Sequence, residues 1–446
     1  MRRIAISGLV ALAAALGGVA VPAAAMAGPT AAVRPGNPTA AVRPGGAVRP
    51  GGPARPADVS LVTSGLPALS CVLATDCLGI EGSAAQTGQS PPAPTRVARW
   101  NGSSWKRLPV TLPKRTTAVD LDGVSCRGAK SCLVVGDYYT PPSYSGTSHV
   151  LALSYNGTSL KPTPAVPLPK GTTDGALSGV SCVTTRYCVA VGVADGDTPA
   201  FGPFDSVTII ETWNGAKWTL HTVPAPTGHT TMVEPIVISC ATSAFCVLAG
   251  DTYLLAGNSA GVKPYVGSWN GTKLTTMKTP TVGGSKDGVV ATGVSCATAS
   301  NCAVTGEDVG NVDSSAAPTK STAFTEIWNG KTWQLARVTW PKAVTSSATS
   351  GVSCYSAHAC EAVGEDGANG EMTPARAAAV SFNAAAGTVQ AVPAPPKGYS
   401  TAFAAVSCLP GGSCVAIGGT GKTTAKSPAL MTGVWNGRAW RLDPGI

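Results

Sequence analysis

Short runs of apolar and β-branched residues, separated by turn residues, recur in groups of four along this chain. The group at residues 178–223 is clear, with runs at 178–182, 187–192, 207–213 and 218–223. These runs are five to seven residues long, the length of a strand, and are rich in Val, Thr, Ile and Trp. The periodicity of an amphipathic helix is absent. The pattern therefore predicts an all-β chain with four strands per group.

A cysteine pair opens every group and defines the repeat. Cys-x5-Cys occurs seven times, the first cysteines are 54 to 58 residues apart, and the pairs account for all 14 cysteines. Such a regular period indicates a tandem array of one supersecondary unit. Seven units of four strands predict a seven-bladed β-propeller with four antiparallel strands per blade, forming one domain over residues 58–446. An open β-solenoid is the alternative.

The first 57 residues differ from the repeats. Residues 1–27 begin with two arginines, continue with an apolar run and end in Ala25-Met26-Ala27, which predicts a cleaved export signal with no membrane span remaining afterwards. General export is preferred to the twin-arginine route. Residues 28–57 repeat Ala-Val-Arg-Pro-Gly, a composition that predicts a disordered linker. We expect an extracellular protein, free or attached to the cell wall.

Charge is concentrated in this N-terminal part. Residues 1–57 contain six arginines and no acidic residue, and subtracting those six from the formal charge of +9 leaves +3 for residues 58–446. So nearly neutral a body argues against nucleic acid as a partner. The linker either contacts an anionic polymer through its arginines or serves as a spacer.

Export determines how the cysteines are interpreted. In an oxidising compartment an even, evenly spaced set predicts disulfides. In a pair of antiparallel strands, the Cα atoms of facing residues lie about 4.5 to 5.5 Å apart, a distance that a disulfide can span. We therefore expect each cysteine to pair with its near neighbour, at Cys71/Cys77, Cys126/Cys132, Cys182/Cys188, Cys240/Cys246, Cys296/Cys302, Cys354/Cys360 and Cys408/Cys414.

Bridges of this kind are expected to act locally. Closing so small a loop should contribute about 2 kcal/mol per bridge, without holding distant repeats together. Metal binding is not the preferred interpretation of the cysteines, because each pair would need two further ligands and the chain has only four histidines. Neither a metal nor a cofactor is therefore expected.

An aromatic-Asn-Gly sequence marks the second hairpin of six of the seven groups. In the remaining one, the sixth along the chain, Phe382-Asn383-Ala384 takes its place. Asn-Gly is typical of tight hairpin turns, because both residues tolerate positive φ. A second tryptophan follows at Trp105, Trp218, Trp333 and Trp440. Repetition favours packing over sugar stacking as the role of these tryptophans.

The Trp-Asn-Gly-x-x-Trp turn resembles the Asp-box and kelch-type turns of bacterial β-propellers, including sialidase-like and galactose-oxidase-like ones. The resemblance extends over all seven copies and implies a secreted propeller. Asn stands in place of the Asp of an Asp box, and the repeated Ser-x-Asp-x-Gly is absent. The resemblance assigns no catalytic residue here.

Strand parity predicts where a ligand would bind. In a four-stranded meander, the 1-to-2 and 3-to-4 turns lie on one face, and the 2-to-3 and 4-to-1 connections lie on the other. The cysteine and Asn-Gly turns are short and uniform, whereas the 2-to-3 segments are long and divergent. Binding residues are commonly carried by variable connections on a rigid frame.

Acidic residues recur where the second strand enters that variable face, including Glu81 and Asp195. They either form a ring of carboxylates around the channel mouth or solvate the start of a loop. Tyr144, Phe201 and Phe204 lie on the same connections as possible stacking surfaces. The predicted ligand-binding residues are Asp137, Tyr138, Tyr139, Asp251, Tyr253, Glu307, Asp308, Glu365 and Asp366.

Three functions are consistent with these patterns. The first is a monomeric, non-catalytic binding or scaffold propeller that engages an extracellular glycan or protein through the variable face. The second is a secreted polysaccharide hydrolase or lyase, which would require two carboxylates about 5 to 10 Å apart in a cleft, one with a raised pKa. The third is a structural component of the cell envelope.

Overall fold

Seven sheets, each with four antiparallel strands and one with an additional short parallel strand, form the body of the computed structural model, which confirms the predicted seven-bladed β-propeller. The structure describes residues 68–81, 96–141, 147–196, 206–223, 231–256, 259–282, 289–308, 321–367, 375–422 and 429–444. The predicted export signal and linker lie outside these residues. No helix in the described part is long and apolar enough to cross a membrane.

The strands follow the chain blade by blade. Blade 1 contains β1 (Leu69–Leu73), β2 (Asp76–Glu81), β3 (Arg96–Trp100) and β4 (Trp105–Arg107). Blade 2 contains β5 (Ala118–Gly128), β6 (Ser131–Tyr139), β7 (Ser148–Tyr155) and β8 (Leu160–Pro162). Blade 3 contains β9 (Asp174–Thr184), β10 (Tyr187–Asp195), β11 (Ser206–Trp213) and β12 (Trp218–Thr222). Blade 4 contains β13 (Thr231–Thr242), β14 (Phe245–Ala256), β15 (Ser259–Trp269) and β16 (Leu274–Thr276).

The remaining three blades repeat this order. Blade 5 contains β17 (Val289–Thr298), β18 (Asn301–Asp308), β19 (Thr322–Trp328) and β20 (Trp333–Leu335). Blade 6 contains β22 (Ser346–Cys354), β23 (Ala359–Gly367), β24 (Arg376–Asn383) and β25 (Ala386–Val389), and the short β21 (Arg337–Val338) adds a parallel strand to β25. Blade 7 contains β26 (Tyr399–Cys408), β27 (Cys414–Lys422), β28 (Ala429–Trp435) and β29 (Trp440–Pro444).

The first strand of each blade is the innermost, since first strands of neighbouring blades contact one another around the ring. Apolar clusters fill the spaces between adjacent blades; one of them joins Leu133 of blade 2 to Ile209 and Trp213 of blade 3. Each blade thus buries its faces mainly against its two neighbours. Radial packing of this kind explains how a body of this size remains one domain.

A ring of hydrogen bonds links all seven inner strands. The residue before the first cysteine of every pair is a serine, and its hydroxyl accepts the backbone N–H of the first cysteine in the next blade. All seven bonds are 2.8 to 3.0 Å long: Ser70–Cys126, Ser125–Cys182, Ser181–Cys240, Ser239–Cys296, Ser295–Cys354, Ser353–Cys408 and Ser407–Cys71. The last bond joins blade 7 to blade 1 and closes the ring.

Blades 7 and 1 also pack directly against each other. Val415 of blade 7 belongs to the same buried cluster as Cys77 and Trp100 of blade 1. The indole N–H of Trp105 donates to Thr432 Oγ1 at 2.9 Å. Since every strand of blade 1 precedes every strand of blade 7 in the sequence, the described ring closes by packing and side-chain hydrogen bonds, with no strand exchanged between the ends.

Replacing Ser407 with alanine tests this closure. The variant leaves the N–H of Cys71 without its acceptor, and we expect a loss of about 1 to 3 kcal/mol in unfolding free energy. Ser243→Ala, on an exposed turn, is the control and should change stability by less than about 0.5 kcal/mol. Thermal and denaturant unfolding measure both. Equal stability of the two variants would show that the hydrogen bond does not hold the seam.

The disulfides join the expected neighbours. All seven bridges connect the two cysteines of one hairpin, with Cα atoms 3.8 to 4.0 Å apart. This is closer than the 4.5 to 5.5 Å expected for unlinked facing positions. Each bridge closes a local loop, as predicted, and no free cysteine occurs among the described residues.

The second cysteine of each pair lies in the core rather than on a surface that a ligand could reach. At most 7% of its side chain is exposed in any blade: Cys77, Cys132, Cys188, Cys246, Cys302, Cys360 and Cys414. The second cysteine of each pair therefore packs in the core.

These buried cysteines also contact the preceding blade. Cys188 shares an apolar cluster with Leu133 of blade 2, and Cys246 shares one with Val189 of blade 3. Cys302 and Cys360 do the same with the buried side chains Val247 of blade 4 and Ala303 of blade 5, respectively. The covalent bridge thus closes only its own hairpin, as expected, while its buried cysteine also fills space between two blades.

The Asn-Gly turns use positive φ at only one of their two residues. Glycine takes positive φ in these turns, as Gly102 does at 97°, but the asparagine does not. Instead Asn101 Oδ1 accepts the backbone N–H groups of Ser103 and Ser104, at 2.9 and 2.8 Å. Both residues tolerate positive φ, but this turn uses it only at the glycine, because the asparagine side chain supplies the acceptor that shapes the turn.

The repeated tryptophans pack within the blades. Trp100 is 2% exposed, and its ring centroid lies 5.4 Å from that of Trp105. Tilted pairs of the same kind recur at Trp213–Trp218, Trp328–Trp333 and Trp435–Trp440. Packing thus accounts for the repetition.

Candidate functional site

The candidate site lies on the variable face, at the ends of the second strands. The strand order places the 2-to-3 and 4-to-1 connections at the edge of the ring opposite the cysteine turns. Predicted acids lie at or near the ends of β6, β10, β18 and β23, whereas Asp251 lies in the middle of β14. Because these are second strands, the acids lie one strand outward from the inner strands that surround the channel.

Most of the predicted carboxylates are buried. Asp251 is fully buried, and the others of this group, Asp137, Glu307, Glu365 and Asp366, are between 4% and 8% exposed. Asp195 and Asp308 keep partial exposure. The alternative in which these acids simply solvate a loop start is therefore wrong for the buried five, because the ends of neighbouring strands and blades cover them.

Three of the acids hold the two ends of a variable connection together. The Ser321 hydroxyl donates to Glu307 Oε2 at 2.7 Å, and the Ser206 hydroxyl donates to the carboxylate of Asp195. In blade 6, Arg376 Nη2 lies 2.8 Å from Asp366 Oδ1. Each bond runs from the end of a second strand to the start of the third, so these acids anchor the bases of the loops.

Carboxylates of blades 5 and 6 interact with one another. Burial raises the pKa of Glu365 to about 8, with the charges of Glu307 and Asp366 acting in the same direction. Burial also raises the pKa of Glu307, against the hydrogen bond from Ser321. The pKa of Asp366 is raised by burial and lowered by Arg376. At neutral pH Glu365 therefore retains its proton and can donate a hydrogen bond.

Blade 2 contains a second acidic group. Burial raises the pKa of Asp137 well above its ordinary value, and Asp122 and Asp120 add to the rise, whereas a hydrogen bond from Tyr139 opposes it. Asp122 on the inner strand has a pKa of about 7, raised by desolvation and by the neighbouring Asp120. Three neighbouring carboxyls therefore share fewer than three negative charges.

A third group lies in blade 4. Asp251 accepts the N–H of Ala291 from blade 5 at 3.4 Å. Desolvation raises the pKa of Asp251 to about 7, the Ala291 bond lowers it, and the charge of Glu234 raises it. The structure thus separates the predicted ring of carboxylates into groups in blade 2, in blade 4 and across blades 5 and 6.

The predicted aromatic residues fall into two sets. Tyr138 is partly exposed, and its ring centroid lies 4.9 Å from that of His149 on β7. Tyr139 is also partly exposed. The Tyr253 backbone pairs with Met232 and Val262, but its side chain lies outside the described atoms. Tyr144, Phe201 and Phe204, and the side chain of Glu81, lie outside them as well.

Sequence reasoning missed Asp120, Asp122 and Glu234. All three are on first strands, and the register places Asp120 opposite Asp137 and Glu234 opposite Asp251. The sequence pattern started the first strand too late, at 178 in blade 3, whereas β9 begins at Asp174. Extending each first strand to match its partner would have revealed the pairs.

The described residues include no group of three or more His, Cys, Asp or Glu side chains arranged to hold a metal ion. Chemically, the site offers protonated carboxyls, hydroxyls and the partly exposed Tyr138, Tyr139 and Asp308. Such groups suit hydrogen bonding to a polar ligand.

Comparisons with known proteins find only distant structural likenesses. No protein-family model matches the chain, and no curated protein sequence matches it. The propeller domain of the Trilobed protease from Pyrococcus furiosus is similar at 8% identity and a TM-score of 0.45, over 85% of this chain and 97% of that one. An ulvan lyase is similar at 9% identity and a TM-score of 0.47, over 82% and 91%. The fucose-specific lectin from Aleuria aurantia is similar at 9% identity and a TM-score of 0.37, over 73% and 96%. At these identities the likeness concerns the fold alone.

Proposed function

We propose that this protein is an exported, non-catalytic binding propeller that engages an extracellular glycan or protein through its variable face. The carrying observation is that acids at the ends of second strands tie the ends of the variable connections together, at Glu307–Ser321, Asp195–Ser206 and Asp366–Arg376. Loops with anchored bases on a rigid ring present side chains at low entropic cost.

Exposure divides the predicted ligand-binding residues into two roles. Tyr138, Tyr139 and Asp308 keep exposure to solvent, and we assign ligand contact to them. The buried Asp137, Asp251, Glu307, Glu365 and Asp366 support the connections. Seven disulfides suit an oxidising compartment, which supports the predicted export through residues 1–27.

Paired variants on opposite faces test the assignment. The test uses a neutral polysaccharide that binds the wild type. The double variant Tyr138→Ala/Asp308→Ala should bind it at least about tenfold more weakly, because both contacts are lost. Arg186→Gln with Lys217→Gln, on the short turns, is the control and should bind like the wild type. Affinity electrophoresis in about 0.5 M salt, where surface charges are screened within about 4 Å, measures both. Loss only in the control would contradict the assignment.

The Glu307 and Glu365 pair favours polysaccharide hydrolysis or elimination as a second candidate. A carboxyl with a raised pKa beside another carboxylate is the arrangement that a general acid requires. In that case Glu307→Gln with Glu365→Gln would abolish release of sugar from the polysaccharide. Glu361 is a buried acid of blade 6 that lies toward the other face. Glu361→Gln would therefore leave the release of sugar intact. A protein of purely structural function would neither bind nor cleave.

A further inference from the structure

Cationic side chains concentrate on the short-turn face, opposite the proposed binding face. These turns connect strands 1 to 2 and strands 3 to 4 of each blade. Seven lysines and arginines lie in or beside them, all exposed: Arg127, Lys130, Arg186, Lys217, Lys273, Lys331 and Arg438. Residues 58–446 have a formal charge of +3. The seven positive charges on this face exceed that net charge, so the remainder of residues 58–446 is net negative.

Six of these cations, all but Arg438, lie on four consecutive blades, and we call this group the cationic crescent. Arg127 and Lys130 are on blade 2, and Arg186 and Lys217 are on blade 3. Lys273 and Lys331 continue the arc on blades 4 and 5. Consecutive blades are neighbours in the ring, so the crescent is a continuous arc of positive charge.

The two turns of each blade lie side by side. A Cβ placed on Gly157 would meet Lys130 Cγ at 2.7 Å, and one on Gly215 would meet Arg186 Cγ at 3.0 Å. The cysteine-turn cation therefore lies over the Asn-Gly turn, which in blade 3 carries Lys217. Asn214 Oδ1 fixes that turn by accepting the Lys217 N–H at 2.9 Å. The charges are thus held on ordered backbone.

Acidic residues do not neutralise the crescent. Among the described acids near the short turns, Asp76 at the start of β2 is already paired with Arg99 at 2.7 Å. The others, Glu211, Glu326 and Glu361, are buried beneath the surface. None of the seven cations has an ion pair among the described residues. Like charges held together without partners repel one another and favour an anionic ligand.

We infer that the cationic crescent binds a linear anionic polysaccharide, one that carries carboxylate or sulfate groups along its length. An extended polyanion can contact successive blades at once, and an exported protein meets such polymers outside the cell. A membrane surface fits less well, since insertion uses exposed apolar side chains and Leu73 is the one large apolar side chain of these described turns that is exposed. This function is separate from the one proposed for the variable face.

Matched charge variants of the full chain test the inference. The crescent variant replaces five cations with glutamine: Lys130, Arg186, Lys217, Lys273 and Lys331. Arg127 is kept, because it donates to the Cys182 carbonyl of blade 3. The control replaces five exposed lysines of the 4-to-1 connections on the opposite face: Lys114, Lys170, Lys278, Lys342 and Lys397. A third variant replaces the linker arginines Arg34, Arg43, Arg49 and Arg55 with glutamine.

Binding of dextran sulfate and polygalacturonate is measured by affinity electrophoresis at several salt concentrations. We expect the wild type to bind with an affinity that falls as salt rises. The crescent variant should lose at least about tenfold, and the other two variants less than about twofold. Equal loss in the crescent and control variants, loss confined to the linker variant, or no wild-type binding would overturn the inference. Binding to phosphatidylglycerol vesicles but to neither polysaccharide would also overturn it.

Discussion

Gly192→Ala will leave little or no folded protein. A Cβ at this position would lie 2.0 Å from the Ala176 carbonyl oxygen and 2.8 Å from Leu177 Cα. The contact is with backbone at the β-bulge of β9, which a side-chain rotation cannot relieve. We expect a loss of about 4 kcal/mol or more, at the upper end of single substitutions. Soluble yield and thermal unfolding measure it.

Gly128→Ala is the control, because a Cβ there would meet no atom within 4 Å. Its stability should stay within about 0.5 kcal/mol of the wild type. The bulge glycine recurs in six blades with the same 1.9 to 2.2 Å approach to a carbonyl oxygen, at Gly136, Gly192, Gly250, Gly306, Gly364 and Gly418. A Gly192→Ala protein as stable as Gly128→Ala would show that the bulges are not required.

Stability will fall as the pH rises from about 4.5 to 8, the second large effect that we expect. Burial raises the pKa of Glu211 and of Glu361 to about 8 and that of Glu326 to about 7, from an ordinary value of 4.5. The folded state therefore binds more protons than the unfolded state between pH 4.5 and 8. Each group lowers the unfolding free energy by up to about 1.4 kcal/mol per pH unit in that interval.

The sign of this dependence is the reverse of that for salt-bridged acids. The protonated form of these glutamates stabilises the folded protein. This contribution is fully present below the pKa of the glutamates in the unfolded chain, and it is lost as the pH rises through their pKa in the folded protein. Glu211→Gln removes one titrating group, whose carboxylate oxygens have no hydrogen-bond partner among the described residues. Thermal unfolding from about pH 5 to 9 should show a shallower slope and a gain in stability at about pH 9. An unchanged slope would exclude Glu211 as a contributor.

The fold was predictable because its signals are local and repeated. Two cysteines with five residues between them that bond to each other must close a short hairpin. Seven copies at one interval require a repeated unit. The serine before each first cysteine was visible in every copy. Its role was not predictable, since its partner is in the next blade. The packing of the buried Cys246 beside Val189 was not predictable either, because it depends on how blades 3 and 4 pack.

The site was predictable only in part, because burial depends on strand register and on neighbouring blades. Asp251 and Glu307 were found from their place after a second strand, but Asp251 lies under the Ala291 backbone of blade 5. Glu234 was missed because β13 extends upstream to Thr231, beyond the apolar run that marked it. Positions on one strand indicate a face, whereas exposure requires the assembled ring.

Retention of the purified protein on a panel of neutral bacterial and plant polysaccharides, with the eluate assayed for released sugars, separates a binding propeller from an enzyme. In about 0.5 M salt the cationic crescent is screened, so retention reports on the variable face. If the proposed non-catalytic binding function is right, at least one polysaccharide retains the protein and no sugar is released. Release of sugar would contradict it by showing an enzyme, and passage through every polysaccharide would contradict the glycan-binding form of the proposal.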